Sequence, residues 1–299
     1  MNTTALPIED VLPAPLAPER SPGYWATVGR RFLRDRIAVA AALVVLLLLV
    51  LAAFGPWIAP ADPYAASMLK RLQGIGSPGY PLGTDELGRD MLSRLLVGAR
   101  LSLFMGITPV LFAFAIGAAI GITAGYAGGW TNNVIMRTMD VFYAFPSVLL
   151  AIALSGALGA GIGNSLLSLT IVFIPPIARV AESVTTQIRG RDFVEAARAS
   201  GAGALTIVRV HVIGNVLGPI FVYATSLIAV SIILASGLSF LGLGTRPPEA
   251  EWGLMLNTLR TAIYLNPWVA ALPGVMIFMV SICFNLLSDG MRSAMDVRS

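Results

Sequence analysis

Long stretches without any charged side chain limit most strongly what this chain can fold into. Asp, Glu, Lys and Arg are absent from five of them: 37–61, 101–136, 141–178, 210–245 and 261–288. A helix needs about 20 apolar residues to cross a bilayer, and each stretch is long enough for one. Only 12% of the 299 residues are charged and 56% are hydrophobic, whereas soluble domains carry roughly 25% charged residues. The sequence therefore predicts an all-α integral membrane protein.

The stretch 141–178 is too long for a single span. As one helix it would measure about 57 Å, against a hydrocarbon core of about 30 Å. Three glycines and Asn164, between positions 159 and 164, are expected to divide it into two spans. The prediction is therefore six transmembrane helices, at 37–58, 101–124, 142–159, 164–182, 219–241 and 267–287.

The placement of the basic residues predicts the orientation of these helices. With the N-terminus inside, 13 of the 20 Lys and Arg residues fall in internal segments and 7 in external ones. Positive charge is retained preferentially on the cytoplasmic side, so both termini are predicted inside. Arg34 and Arg198 are then cytoplasmic, and Asp85 is external.

This topology divides the chain into five parts. They are an N-terminal cytoplasmic tail (1–36), a first transmembrane helix (37–58), an external loop (59–100), a core of five further helices (101–288) with a cytoplasmic loop (183–218), and a C-terminal cytoplasmic tail (289–299).

The rare residue types exclude several kinds of chemistry. The only lysine, Lys70, follows Leu69 rather than a glycine, so the chain has no phosphate-binding P-loop. One histidine, His211, and one cysteine, Cys283, are too few for a usual metal site. The arginines stand at the ends of apolar runs and form no single basic face for nucleic acid. The residues favour a passive gate driven by partner proteins, without a cofactor of its own.

Two other classes of membrane protein are less well supported. A self-sufficient channel or secondary carrier, the main alternative, usually places ionisable residues inside its spans, and the charge-free stretches hold none apart from His211 near an end. A membrane-bound enzyme would need a set of polar catalytic residues at one depth, and the sequence offers no G-x-S-x-G nucleophile motif.

The cytoplasmic segment 189–201 carries signals for a short helix. Asp192 is a candidate N-cap with Glu195 three residues later, as in a capping box. Gly201 is a candidate left-handed ending, where a larger side chain would strain the backbone and fill the turn. Ala196 and Ala197 leave the helix surface small and closely approachable.

A second amphipathic stretch follows. It places Leu205, Val208 and Val212 on one predicted face, and Gly214 with Asn215 is expected to end it. On these signals alone, the whole segment fits an ordinary amphipathic loop as well as it fits a docking element.

The same segment resembles the Glu-Ala-Ala loop of ABC importer permeases. The resemblance lies in Glu195, Ala196 and Ala197, followed by Gly201, His211 and Asn215. It is most similar to the C-type permease of dipeptide, oligopeptide and nickel importers, and further matching blocks extend it over nearly the whole chain. These are 82–90 with Ser93 and Arg94; 125–130 with Met136, Arg137 and Asp140; 144–146; 239–244 with Pro247, Pro248, Trp252 and Gly253; and Asn285, Asp289, Arg292 and Asp296.

The sequence departs from the family pattern at a few positions. Gly214 stands where the family usually has proline, and because both residues break helices we expect a kink there. The other departures are Tyr80, Asn132, Ser288, Ser293 and Val297.

The resemblance implies the type I ABC importer permease fold in the bacterial inner membrane. It implies a second homologous permease, an external substrate-binding protein, and two cytoplasmic ATPase subunits (or one two-domain ATPase) that hold ATP and Mg. The implied solute is a dipeptide or oligopeptide, with nickel complexes or another small solute as the alternative. The residues implied to couple the permease to the ATPases are Asp192, Glu195, Ala196, Ala197, Arg198 and Gly201.

Overall fold

The computed structural model describes residues 24–295, and this range is helical apart from turns and two isolated β-bridges. The helices are α1 (Tyr24–Arg34), α2 (Arg36–Ile58), α3 (Met91–Ala127), α4 (Gly129–Tyr143), α5 (Ser147–Leu158), α6 (Ile162–Arg189), α7 (Asp192–Ala199), α8 (Ala204–Ile207), α9 (Ile213–Phe240), α10 (Trp252–Thr258) and α11 (Pro267–Met295). A π-helical turn, Val208–Val212, joins α8 to α9. Most of the predicted N-terminal tail, part of the C-terminal tail and Asp296 lie outside the described residues.

By length and composition, five helices among residues 24–295 can cross a membrane, and a bent pair makes a sixth element if it is counted as one span. The five continuous helices are α2, α3, α6, the combined helix Ala204–Phe240, and α11. The sixth is the pair α4 and α5, which are bent by 85° relative to each other. The predicted all-α architecture of six apolar spanning elements is therefore confirmed, with one element broken.

The broken element differs from the predicted span 142–159. Residues 129–143 are already helical, residues 144–146 form the bend, and α5 begins at Ser147. Pro146 accounts for the break because it lacks an N–H and disfavours helical geometry at Phe145. Arg137 and Asp140 lie on α4, and their charges divide this helix between the charge-free stretches 101–136 and 141–178.

Helices α3 and α6 approach each other closely along a ridge of three glycines on α3. These are Gly117, Gly121 and Gly125, each one helical turn after the last. A Cβ atom on Gly121 would lie 2.5 Å from the Cβ of Ala181, and one on Gly125 would lie 2.7 Å from the Glu182 carbonyl. Small residues at such a spacing let two backbones pack in van der Waals contact within a membrane.

Two hydrophobic clusters fill the interior. One joins α3, α6 and α9, with Leu169, Ile177 and Ile220 fully buried. The other joins α2, α3, α9, α10 and α11 around Trp252, whose indole N–H donates to the Leu95 carbonyl over 3.1 Å. Helices α3 and α9 contribute to both clusters, so these two helices hold the two halves of the bundle together.

Cysteine labelling tests the predicted orientation, and the structure determines which positions are suitable. Asp85 is only 2% exposed, whereas Leu69 in the same loop is 98% exposed. In a Cys283→Ala background, Leu69→Cys should react with a membrane-impermeant maleimide in intact spheroplasts. Arg198→Cys, on the exposed surface of α7, should react only after the membrane is opened. The reverse pattern would contradict the orientation with both termini inside.

Candidate functional site

Helix α7 is attached to the membrane helices mainly through one buried side chain. Val194 is fully buried in a hydrophobic cluster with Ile207 and Val212. The opposite surface of α7 is exposed and carries four of the six predicted coupling residues: Asp192, Glu195, Ala196 and Arg198. Ala197 is half-buried and packs against the cluster. The helix thus presents a small, charged surface to the solvent side while its apolar side is fixed.

The predicted capping box at the start of α7 is wrong. Arg191 occupies the N-cap position, with extended backbone angles and no hydrogen bond from its side chain to the helix. Asp192 is instead the first helical residue. Asp192 and Glu195 still lie in the first turn and Arg198 in the last, which is the favourable arrangement for the helix dipole.

The predicted left-handed ending at Gly201 is confirmed. Gly201 has φ +81°, and the turn is closed by a hydrogen bond from the Ala202 N–H to the Ala197 carbonyl of 3.1 Å. Among the residues that the structure describes, and apart from its two chain neighbours, no atom lies within 4 Å of the position that a Cβ at Gly201 would take. The expectation that a larger side chain would fill the turn is therefore wrong for the chain by itself, and the cost of substitution is backbone strain.

The second amphipathic stretch does not end at Gly214. The chain continues through the π turn Val208–Val212 into α9, so Gly214 lies inside a helix, and the kink expected there stays a prediction. The extra residue of a π turn rotates the following side chains out of the regular helical register. Leu205 is consequently 82% exposed, while Val212, predicted on the same face, is buried.

The π turn places His211 and Asn215 beside α7. The His211 ring lies 6.4 Å from the Phe193 ring of α7, measured between centroids. The Asn215 side chain donates to the His211 carbonyl over 2.7 Å. The residues that carry the family resemblance in this segment therefore come together in one small unit.

The end of α6 connects this unit to the membrane helices. Gly128 lies at the corner between α3 and α4. The Arg189 guanidinium occupies the space that a side chain on Gly128 would fill. About two helical turns before Arg189, the Glu182 carboxylate accepts hydrogen bonds from Asn132 of α4, over 2.6 Å, and from Thr186, over 3.2 Å. The helix that leads into α7 is thus fixed to α3 by the glycine ridge and to α4 by polar contacts.

A buried charge cluster in the predicted external loop has a structural role. The Asp85 carboxylate accepts from Arg89 Nε over 2.6 Å and lies 3.3 Å from Arg94 Nε, and all three side chains are buried. Arg94 also donates to the carbonyls of Pro63 and Glu249. This cluster ties the loop to the start of α3 and to the segment before α10. The sequence indicated an external position for Asp85 but not its burial.

Glu251 is a further buried carboxylate, next to this cluster in the chain segment before α10. Its oxygens accept from the N–H groups of Gly253 and Leu254, both over 2.8 Å, and from the Ser102 hydroxyl over 3.3 Å. Burial raises the pKa of Glu251 above its ordinary value, and the backbone hydrogen bonds oppose this shift. Its role is to cap α10 and hold it against α3.

Comparison with known proteins identifies relatives over most of the chain. Residues 117–298 match the family described as binding-protein-dependent transport system inner membrane component. Residues 23–74 match the N-terminal TM domain of oligopeptide transport permease C. The chain is 42% identical over 272 residues to the glutathione transport system permease protein GsiD of Pectobacterium atrosepticum, covering 91% of this chain and 90% of that protein. The protein of the same name from Escherichia coli O6:K15:H31 is 43% identical over the same lengths.

The fold also has a solved counterpart. A chain of the MetNI methionine ABC transporter, in an inward-facing conformation, superimposes with a TM-score of 0.56 at 21% sequence identity. The match covers 68% of this chain and 97% of that chain. The likeness shows the type I importer permease fold predicted from the sequence.

Asp85→Asn tests the structural role of the external cluster. Removing one partner of a buried ion pair leaves the other charge uncompensated, at a cost of about 3–5 kcal/mol. The variant should therefore lose thermal stability in detergent, measured by the temperature at which the purified protein aggregates. Lys70→Gln is the control, because Lys70 contacts Tyr80 only at the exposed surface. Equal aggregation temperatures for both variants would contradict this role.

Proposed function

The chain belongs to the family of binding-protein-dependent transport system inner membrane components, a multi-pass permease subunit of an ATP-driven importer, and we propose that its solute is a small peptide. As a permease of this family it is not itself an enzyme, and it works with ATPase and substrate-binding partners. The observation that carries the assignment is 42% identity over 91% of the chain to a glutathione permease.

Two findings support a peptide as the solute. Glutathione, for which these relatives are named, is itself a tripeptide. The N-terminal match to an oligopeptide permease domain, at 23–74, covers a different part of the chain. A glutathione-type peptide is therefore the first candidate, with other dipeptides and oligopeptides next. A nickel complex remains the alternative within the same family, and the single histidine and cysteine disfavour a bare metal ion.

The assembly we propose contains a second homologous permease beside this one. Two cytoplasmic ATPase subunits, or one two-domain ATPase, would bind from the inside with ATP and Mg, and a substrate-binding protein would deliver the solute from outside. Each permease would then supply half of the path. This division of labour agrees with a chain that has no P-loop lysine of its own.

We further propose that α7 is the surface to which the ATPase subunits bind. Its exposed residues Glu195 and Arg198 place a charge in the first and the last turn of the helix. Ala196, between them, is small enough to let a partner protein approach the helix backbone closely. Val194 packs with Ile207 and Val212 on the other side, and α7 follows α6 directly in the chain, so a force on α7 acts on α6 and on the start of α9. Because α6 packs on the glycine ridge of α3, movement of α7 would shift α3 and α6 as one body.

Reconstitution of the whole assembly tests the proposed function. Proteoliposomes with both permeases, the ATPases and the external receptor should accumulate glutathione or a small peptide when ATP is supplied. Loaded receptor should stimulate ATP hydrolysis, and this chain alone should hydrolyse none. Uptake by this chain alone, without ATP, would contradict the proposal and favour a channel or secondary carrier.

Ala196→Leu tests the proposed role of α7. Ala196 is exposed, so the added bulk can disturb only a partner, whereas Ala197→Leu would also disturb the core. Overpacking an interface costs about 1–3 kcal/mol, which corresponds to roughly tenfold or more in ATPase affinity. Gly201→Val should also weaken coupling, because its positive φ costs a β-branched residue about 1–2 kcal/mol.

The control for these variants is Ala40→Leu, the same change at an exposed position of α2. ATP-driven uptake and retention of the ATPases on the purified complex are the two measurements. Normal uptake with the ATPases bound, in both Ala196→Leu and Gly201→Val, would show that this segment is only a connecting loop.

A further inference from the structure

A cavity of about 350 Å³ lies at the bend between α4 and α5. It is enclosed by the bend on one side, by α6 on another and by α9 on the third. The polar and proline residues among its lining are Tyr143, Pro146, Ser147, Pro175, Pro176 and Tyr223. The remaining lining is aromatic or aliphatic. The cavity is separate from α7 and from the charge cluster around Asp85.

The α6 wall of the cavity includes Val172, a residue whose carbonyl lacks its regular helical donor. Pro175 and Pro176 stand inside α6 and have no N–H. The carbonyls of Ile171 and Val172, four residues earlier, therefore lack the donor that a regular helix would supply. Within a membrane, such groups are tolerated where they face protein or a water-filled cavity rather than lipid. Val172 and both prolines line this cavity, so its wall accepts hydrogen bonds from N–H groups.

The facing walls add hydroxyl groups and aromatic faces. Tyr143 and Ser147 lie at the bend, and Tyr223 projects from α9. None of these three side-chain hydroxyls makes a hydrogen bond to another residue in the part of the chain that the structure describes. They are available to a solute, and the tyrosine rings can stack on its planar groups.

Two arginines stand beside the tyrosines. The Arg179 guanidinium lies 5.5 Å from the centre of the Tyr143 ring and pairs with Asp140. Tyr223 also lines a neighbouring cavity of about 310 Å³, whose wall includes Arg292. Both arginines belong to the halves of α6 and α11 that lead to the predicted cytoplasmic side. Because Asp140 pairs with Arg179, the positive charge next to the cavity is that of Arg292, which shares the neighbouring cavity with Tyr223.

From this arrangement we propose that the cavity holds the solute in transit and that the solute is a small peptide with a free carboxylate. One of its amide N–H groups donates to the carbonyl of Val172. Its planar groups lie against Tyr143 and Tyr223, and its carboxylate faces Arg292. This inference rests on the proposed import of peptides and adds the residues that contact the peptide in the membrane.

Blocking the cavity tests this inference in the reconstituted assembly. Ser147→Trp places an indole at the bend, and Tyr223→Ala removes one wall. Uptake per ATP hydrolysed should fall at least tenfold in both variants, while loaded receptor still stimulates ATP hydrolysis. Phe112→Ala is the matched control, because Phe112 is an exposed aromatic residue on α3 away from this cavity. Normal uptake per ATP in Ser147→Trp would overturn the inference.

Substitutions of Arg292 test the proposed contact with the carboxylate of the solute. Uptake at saturating loaded receptor should fall in Arg292→Gln and be retained in Arg292→Lys, because only the lysine keeps the positive charge. An equal rate in Arg292→Gln and the unchanged protein, or an equal loss in both variants, would overturn the carboxylate assignment. If the unchanged assembly transports no peptide, the proposed function fails. If it transports peptides and the variants do too, only this inference fails.

Discussion

The close packing of α3 against α6 is the constraint on which the rest of the structure depends. In a membrane, apolar side chains gain little by leaving lipid for protein, so helices associate where small residues bring their backbones together. Gly117, Gly121 and Gly125 supply that contact, with the Ile174 carbonyl only 2.9 Å from where a Cβ on Gly117 would stand. Helix α6 can then carry α7 at one end and the proline wall of the cavity in its middle. Both proposed functional surfaces are thereby fixed to one rigid pair of helices.

The two ends of the bundle are held differently. On the external side, Asp85 and Arg94 join the loop to α3 and to the segment before α10 through buried charge and backbone carbonyls. On the predicted cytoplasmic side, α7 is held by Val194, by Ala197 and by the Phe193–His211 ring contact, and most of its surface is exposed. A fixed external end and an exposed cytoplasmic end suit a subunit that receives force from inside and transmits it along α6.

Sequence patterns predicted the features that depend on composition and local chemistry. The absence of charged residues located the spanning elements, because lipid excludes charged side chains. Gly201 located the end of α7, because a positive φ favours glycine. The bend between α4 and α5 escaped prediction because Arg137 and Asp140 divided α4 between two charge-free stretches. The burial of Asp85 depends on Pro63 and Glu249, which are distant in sequence, so no local pattern could reveal it. The π turn shifted the register at Val208–Val212 without a distinctive residue to mark it.

Protection of a cysteine on α7 tests most directly the central claim that this helix binds the ATPase subunits. Ala196→Cys in a Cys283→Ala background would be exposed to a soluble maleimide on the purified permease pair. With the ATPases bound, labelling at 196 should fall severalfold, while labelling of Leu33→Cys, on the exposed surface of α1, should be unchanged. Equal labelling at 196 with and without bound ATPases would show that they bind elsewhere, and the account of force transmission through α6 would fail.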